Sequence, residues 1–205
     1  MASRRLILAS TSRYRRELLG RLRVPFDVVA PEVDEAARAG EIPRDLALRL
    51  ALAKADAVAA QHDDAVVIGS DQVADLDGVA VGKPGDHERA TAQLHAMRGR
   101  VVMFHTAVAV VCRATSFRVA ELVSVTVRFR DLAATDIECY LRAEQPYDCA
   151  GSAKAEALGI ALLESIKSDD PTALIGLPLI RTCVLLRLTG IDPLSQGATT
   201  GTAAS

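Results

Sequence analysis

Leu6-Ile7-Leu8-Ala9-Ser10-Thr11-Ser12-Arg13-Tyr14-Arg15-Arg16-Glu17-Leu18-Leu19-Gly20-Arg21-Leu22 begins as a short apolar run and breaks into hydroxyls. It resumes with Leu18, Leu19 and Leu22 on a helical spacing. The reading is strand, polar turn, then helix over Tyr14 to Leu22. The same alternation continues with a second strand over Phe26 to Ala30 and the acidic loop Pro31-Glu32-Val33-Asp34-Glu35. A helix over Arg44 to Gln61 follows, with its core stripe at Leu46, Leu50, Ala53 and Ala57, and then a buried strand over Ala65 to Gly69. Strands alternating with helices define an α/β fold.

Downstream the pattern changes. Val73 to Val81 reads as a hairpin turning at Asp77-Gly78, a favoured two-residue turn. After a helix over Asp86 to Met97, the β-rich runs Val101 to Cys112 and Phe117 to Phe129 read as long paired strands, so the sheet is mixed. Thr135-Asp136-Ile137-Glu138 has the capping-box pattern and predicts a helix to about Ala143. A strand over Ile160 to Ile166 and a last helix covering much of Leu174 to Leu188, with Pro178 near its first turn, complete the sequence of elements. No repeat or linker divides the chain, so residues 1–194 are expected to form one domain, with 195–205 a disordered tail of Ala, Thr, Gly and Ser.

The 205 residues suffice for a substantial core, and half of them are hydrophobic. A net charge of -2 and 3% aromatic residues argue against nucleic acid as the partner, the Arg-rich stretch Arg13 to Arg23 being its only support. The most apolar stretch, Val101 to Cys112, contains His105 and Thr106 and falls short of the roughly 20 residues of a membrane span. Neither a membrane segment nor an export signal is read, and the expected compartment is the cytoplasm. Cys112, Cys139, Cys149 and Cys183 lack the spacing of a zinc site. His62, His87, His95 and His105 form no ligand-spaced cluster, and no Ser-His-Asp triad is assignable.

Chemistry-bearing residues concentrate in the polar segments. Only four lysines stand against twenty arginines, and Lys54, Lys83 and Lys154 lie in or beside those segments. A compact ammonium suits phosphate, although on residue type alone each reads more readily as surface charge. Ser10 to Arg16 lies between strand and helix, where free amides and the helix dipole favour an anion, or where Ser merely caps the helix. It lacks the glycines of a Walker A loop or a Rossmann fingerprint. Asp34-Glu35 and Asp71 supply hard oxygens suited to Mg²⁺, and one such carboxylate could deprotonate water.

Four segments in this order, Leu8-Ala9-Ser10-Thr11-Ser12 with Arg15-Arg16, Val33-Asp34-Glu35, Gly69-Ser70-Asp71-Gln72-Val73 and Gly82-Lys83-Pro84, resemble the Maf family of nucleoside triphosphate pyrophosphatases from about Leu6 to Pro193. Cys149-Ala150-Gly151-Ser152 with Lys154 and Glu156, then Asp170-Pro171 and Ile175-Gly176-Leu177-Pro178-Leu179, resemble the branch that hydrolyses 7-methyl-GTP. The dTTP/UTP branch usually has Thr after the catalytic Asp and Gln near the position of Glu156, where this chain has Gln72 and Glu156. The resemblance implies a Maf/ITPase-like mixed sheet flanked by helices, with two lobes around a central cleft. It also implies cleavage between the α and β phosphates to a nucleoside monophosphate and pyrophosphate.

In that family pattern Asp71 is the proton acceptor, and Glu35 and Asp71 lie near a divalent cation, Mg²⁺ or Mn²⁺. Ser10, Arg15, Lys54, Lys83 and Lys154 match positions lining the phosphate site, and Tyr14, Gln72 and Glu156 match specificity positions. A homodimer is implied. The chain departs from the branch at Tyr14, often Trp, and at Ala153, often Phe. Within the family the rival readings are a dTTP, UTP or broader modified-nucleotide pyrophosphatase and a nucleotide-binding cell-division regulator without turnover.

Overall fold

The computed structural model describes residues 4–195; most of the expected tail, residues 196–205, lies outside the described residues. Its centre is a seven-stranded mixed sheet. The order is β2 (Asp27–Val29), β1 (Leu6–Ala9), β3 (Val66–Leu76), β5 (Val101–Cys112), β6 (Phe117–Phe129), β7 (Leu163–Lys167), with β4 (Val79–Val81) also paired to β3. β2, β1 and the first half of β3 run parallel. All other pairings are antiparallel.

Helix α2 (Pro43–Ala59) covers one face of the parallel half, and α1 (Arg13–Gly20) and α5 (Leu179–Leu188) cover the other. Helices α3 (His87–Met97) and α4 (Ala134–Glu144) pack on the far half of the sheet, against Val102, Phe104, Val125 and Val127. Strand alternation puts Phe104, Val108 and Val110 on one face and Ala107, Ala109 and Val111 on the other. The α3–α4 core and the α1–α5 core therefore share a face, and they part at Thr106. Two lobes on one sheet follow from that division.

The loci of the parallel strands and of the two long antiparallel strands match expectation, and the turn at Asp77-Gly78 has positive φ at both positions (54° and 84°), as its tight twist requires. Several local expectations are corrected. β3 runs on unbroken from Val66 into the hairpin, because Ser70 to Ala74 pair with β5 throughout. On α2 Leu46 and Leu50 are buried as expected, together with Ala47, Ala51, Lys54, Ala55, Val58 and Ala59, while Ala53 and Ala57 are only half-buried. Leu50 and Val58 anchor it, each side chain worth about 1.5–3 kcal/mol.

Thr135 is not the cap of α4. The helix starts at Ala134, and Asp136 at the third position accepts from the Ala133 amide at 3.1 Å. Ile160 lies exposed in a 3₁₀ turn over Leu158–Leu162, and the last strand begins at Leu163. The final helix occupies Leu179–Leu188, much of the expected span, and Gly176 (φ 123°) separates it from the 3₁₀ turn Ala173–Ile175. Pro178 is its N-cap, next to the first turn as expected, and the buried Asp170 carboxylate accepts from Ile180 N at 2.7 Å and Arg181 N at 3.2 Å.

Candidate active site

The site arises where one strand outruns its neighbour. β1 ends at Ala9, opposite Gly69, whereas β3 continues to Leu76 and meets β4 only from Ala74 onward. On that edge Ser70 to Val73 have no strand partner, so a gap opens at the carboxyl end of the parallel strands, where open α/β sheets place ligands. The alternation of β3 sends Asp71 to the α2 face and Gln72 to the opposite face. A cleft of about 420 Å³ occupies the gap, with Ser10, Tyr14, Arg15, Glu35, Lys54, Gln72, Lys83, Ala153 and Glu156 among its walls.

Gly69 brings α2 close enough for its side chains to matter. A Cβ there would lie 2.6 Å from the Ala55 amide nitrogen and closer still to the Ala51 carbonyl oxygen. With the backbones in contact, the buried Lys54 ammonium reaches Asp71 Oδ1 at 2.6 Å and Glu35 Oε1 at 2.7 Å. Burial works against the Glu35 charge, but Lys54, Lys83 and Arg15 outweigh it and hold the carboxyl below its ordinary pKa. Asp71 Oδ2 has no protein donor among the described residues.

Two carboxylates converging on one ammonium can also share a divalent cation. No group of three or more His, Cys, Asp or Glu side chains placed to hold a metal ion by themselves occurs among the described residues. The set fits Mg²⁺ held by one or two carboxylates together with phosphate oxygens.

The turn before α1 builds the adjoining wall. Ser10 Oγ accepts from Ser12 N at 3.1 Å, and Ser12 caps the helix through Arg15 N at 3.4 Å. Arg15 Nε and Ser70 Oγ both donate to the Gly176 carbonyl at 2.9 Å. Burial lowers the Arg15 pKa, opposed by Asp71 and Glu35. Lys83 is exposed and has no ion pair among the described residues. Gln72 Nε2 donates to Thr106 Oγ1 at 3.0 Å and to the Ala173 and Leu174 carbonyls at 2.9 Å, leaving its Oε1 as the free polar atom beside the cleft.

The far end differs in chemistry. Tyr14 carries the Arg13 guanidinium 4.8 Å from its ring centroid and the Lys154 ammonium at 5.9 Å. Asp148, Cys149 and Glu156 complete this end. Burial pushes the Glu156 carboxyl up from its ordinary value, with repulsion from Glu144 and Asp148 adding and Lys154 opposing. Burial and Asp148 push the Cys149 thiol to about 12. Lys154 is not in the cleft wall; its ammonium lies 2.6 Å from Glu144 Oε1.

The gap, its clustered cations and its paired carboxylates coincide with a match to the family described as Maf-like protein over residues 5–189. The chain belongs to the Maf-like family. The resemblance read from the ordered motifs is thereby borne out. This Maf-like chain is 66% identical over 191 residues to the 7-methyl-GTP pyrophosphatase of Albidiferax ferrireducens, covering 93% of this chain and 96% of that one. It is 65% identical to the protein of that name from Polaromonas sp., covering 92% and 86%, and 59% identical to that of Bordetella pertussis, covering 93% and 95%. Among solved structures, a HAM1 protein from Coxiella burnetii aligns at TM-score 0.43 and 13% identity over 63% of this chain and 75% of that one.

Every site residue expected from sequence lies at this Maf-like cleft or directly against it. Asp71 sits behind Lys54, and Lys154 behind Tyr14. Sequence reading missed Arg13, Asp148, Thr106 and Glu144. Glu144 ends one helix and meets Lys154 ten residues later across an irregular loop, so no periodicity announces the pair. Among the described residues no helix is long and apolar enough to cross a membrane.

Proposed function

We propose that the chain hydrolyses nucleoside triphosphates between the α and β phosphates, with 7-methyl-GTP preferred, yielding the nucleoside monophosphate and pyrophosphate. Residues 1–194 act as one catalytic domain. The observation that carries this is the sorting of charge along one cleft, with Arg15, Lys54 and Lys83 beside Asp71 and Glu35 at one end and an aromatic, acid-rich wall at the other. The relatives' names support the choice of nucleotide.

Cleaving a phosphoanhydride chiefly demands positioning and charge neutralisation. Arg15, Lys54, Lys83, the Ser10 hydroxyl and the free amides at the start of α1 take up the phosphates. Lys54 holds Asp71 Oδ1, so Oδ2 is the oxygen that accepts a proton from water. As that proton moves, the water oxygen bonds to phosphorus, the bridging P–O bond breaks and pyrophosphate departs. A divalent cation, Mg²⁺ or Mn²⁺, held by Glu35 and Asp71 would supply further neutralisation of the phosphates. At the other end the Tyr14 ring offers a π face to the cationic base, worth about 0.5–2 kcal/mol, and Glu156 and Gln72 Oε1 accept its N–H donors.

Pyrophosphate release with Mg²⁺ from 7-methyl-GTP, GTP, dTTP, UTP and CTP tests this, with Asp71→Asn as control. The expected result is a preference for 7-methyl-GTP that the variant abolishes. Preference for dTTP would overturn the specificity roles of Gln72 and Glu156, and absence of release from all five would overturn the enzymatic reading.

A further inference from the structure

We propose that Glu144 is a positioning residue that sets the charge of the base end of the cleft through Lys154, and thereby sets the preference for a cationic purine over a neutral one. The inference rests on the proposed pyrophosphatase function and names a determinant of its specificity. Lys154 and Glu144 form a 2.6 Å ion pair whose side chains are only 14% and 17% exposed. The pair is held from both sides. Lys154 N donates to Tyr140 Oη at 3.0 Å, and Leu158 N donates to Glu144 Oε2 at 3.2 Å. Gly159 closes the turn, its Cα leaving no room for a side chain against the Lys154 backbone, since a Cβ would lie 2.5 Å from the Lys154 carbonyl oxygen.

The ammonium so held lies 5.9 Å from the Tyr14 ring centroid, behind the ring and outside the cleft wall, close enough for its charge to act on a base stacked on that ring. Arg13 already places one cation on that ring. With Glu144 ionised, the Lys154 charge is cancelled where it stands, and Asp148 and Glu156 face the base against Arg13 alone. Without Glu144, an unpaired ammonium stands beside the ring. 7-Methylguanine differs from guanine by a methyl group and a positive charge, so the ratio of kcat/KM for 7-methyl-GTP to that for GTP isolates the electrostatic effect. The phosphates are common to both substrates and cancel in the ratio, including any contact they make with Lys154.

The test is that ratio, measured at mildly acidic pH where the methylated ring keeps its N1 proton, for the full chain and three variants. Glu144→Gln retains an acceptor for Leu158 N but removes the charge, and the ratio is expected to fall about tenfold, the order given by one unit charge about 10 Å from another at the effective dielectric of a partly buried site. Lys154→Met removes the cation and raises the ratio, which keeps the proposal testable even where Glu144→Gln folds poorly. The double variant removes both charges and returns the ratio to near that of the unaltered chain. A purely structural role for Glu144 would lower turnover of both nucleotides together and leave the ratio unchanged, and that result overturns the inference. If the unaltered chain releases no pyrophosphate from 7-methyl-GTP, the proposed function itself has failed.

Discussion

Replacing Lys54 with Met removes the one cation that two carboxylates share. Its side chain is 6% exposed and that of Asp71 10%, so the 2.6 Å contact between them is largely shielded from water. The contact with Glu35 is weaker support, because that carboxylate is 56% exposed and screened. Breaking a buried pair by deleting one partner costs about 3–5 kcal/mol, because the other charge is left unpaired. Because the Asp71 carboxylate adjoins the open cleft, the expected loss lies at the lower end of that range, about 3 kcal/mol. For a chain of this size that corresponds to a fall in Tm of about 6–12 °C.

Thermal and urea unfolding of four proteins checks the figure: the unaltered chain, Lys54→Met, Asp71→Asn, and the double variant. The double variant buries no unpaired charge at this position, so it is expected to recover most of the stability lost in Lys54→Met while remaining inactive. A double variant no more stable than Lys54→Met would refute the reasoning, since the loss would then come from the lysine's packing along α2 and not from the stranded carboxylate. An unchanged Tm in Lys54→Met would refute it as well.

Gly69→Ala is expected to cost about 1–3 kcal/mol as α2 is pushed off β3, and to lower pyrophosphate release by displacing Lys54 from Asp71; unfolding and turnover assays read the two effects. Glu41 receives Arg49 at 2.6 and 2.8 Å, and Arg49 in turn donates to the Ala36 carbonyl at 2.9 Å, beside Glu35. The Arg49 hydrogen bonds and the Arg38 amide hold the Glu41 pKa at about 2. A depressed folded pKa means stability present above the ordinary carboxylate pKa and lost as pH falls toward 2, so Glu41→Gln is expected to flatten the acid limb of a Tm-against-pH curve; a limb of unchanged slope would reject that assignment. Asp170→Ala removes the cap of α5 at a cost of about 0.5–2 kcal/mol and loosens the Gly176 carbonyl that receives Arg15, so steady-state kinetics are expected to show KM for the nucleotide raised more than kcat is lowered.

What the sequence discloses about this molecule is what depends on local pattern. The β-rich runs Val101 to Cys112 and Phe117 to Phe129 give both long strands to the residue, and an apolar run breaking into Ser10-Thr11-Ser12 gives the first strand and the capped helix after it. The expectations that failed are those in which another group, near or distant, outcompetes the one the pattern singles out. Thr135 resembles a cap, but Asp136 reaches the Ala133 amide and the helix begins earlier. Nothing near Leu174 foretells that Asp170 would cap α5 from ten residues upstream while Gly176 turns the chain so that its carbonyl meets Arg15 and Ser70. The site divides in the same way: Asp71 and Gln72 are legible because polar residues there follow an apolar run, whereas Glu144 becomes visible only when α4 and the loop after it are folded together. Residues that position others are therefore the ones sequence conceals, because their partners are chosen by packing and not by spacing. That is the reason Glu144, and not a residue of the ordered motifs, is the place where the cleft's preference for a charged base is most informatively tested.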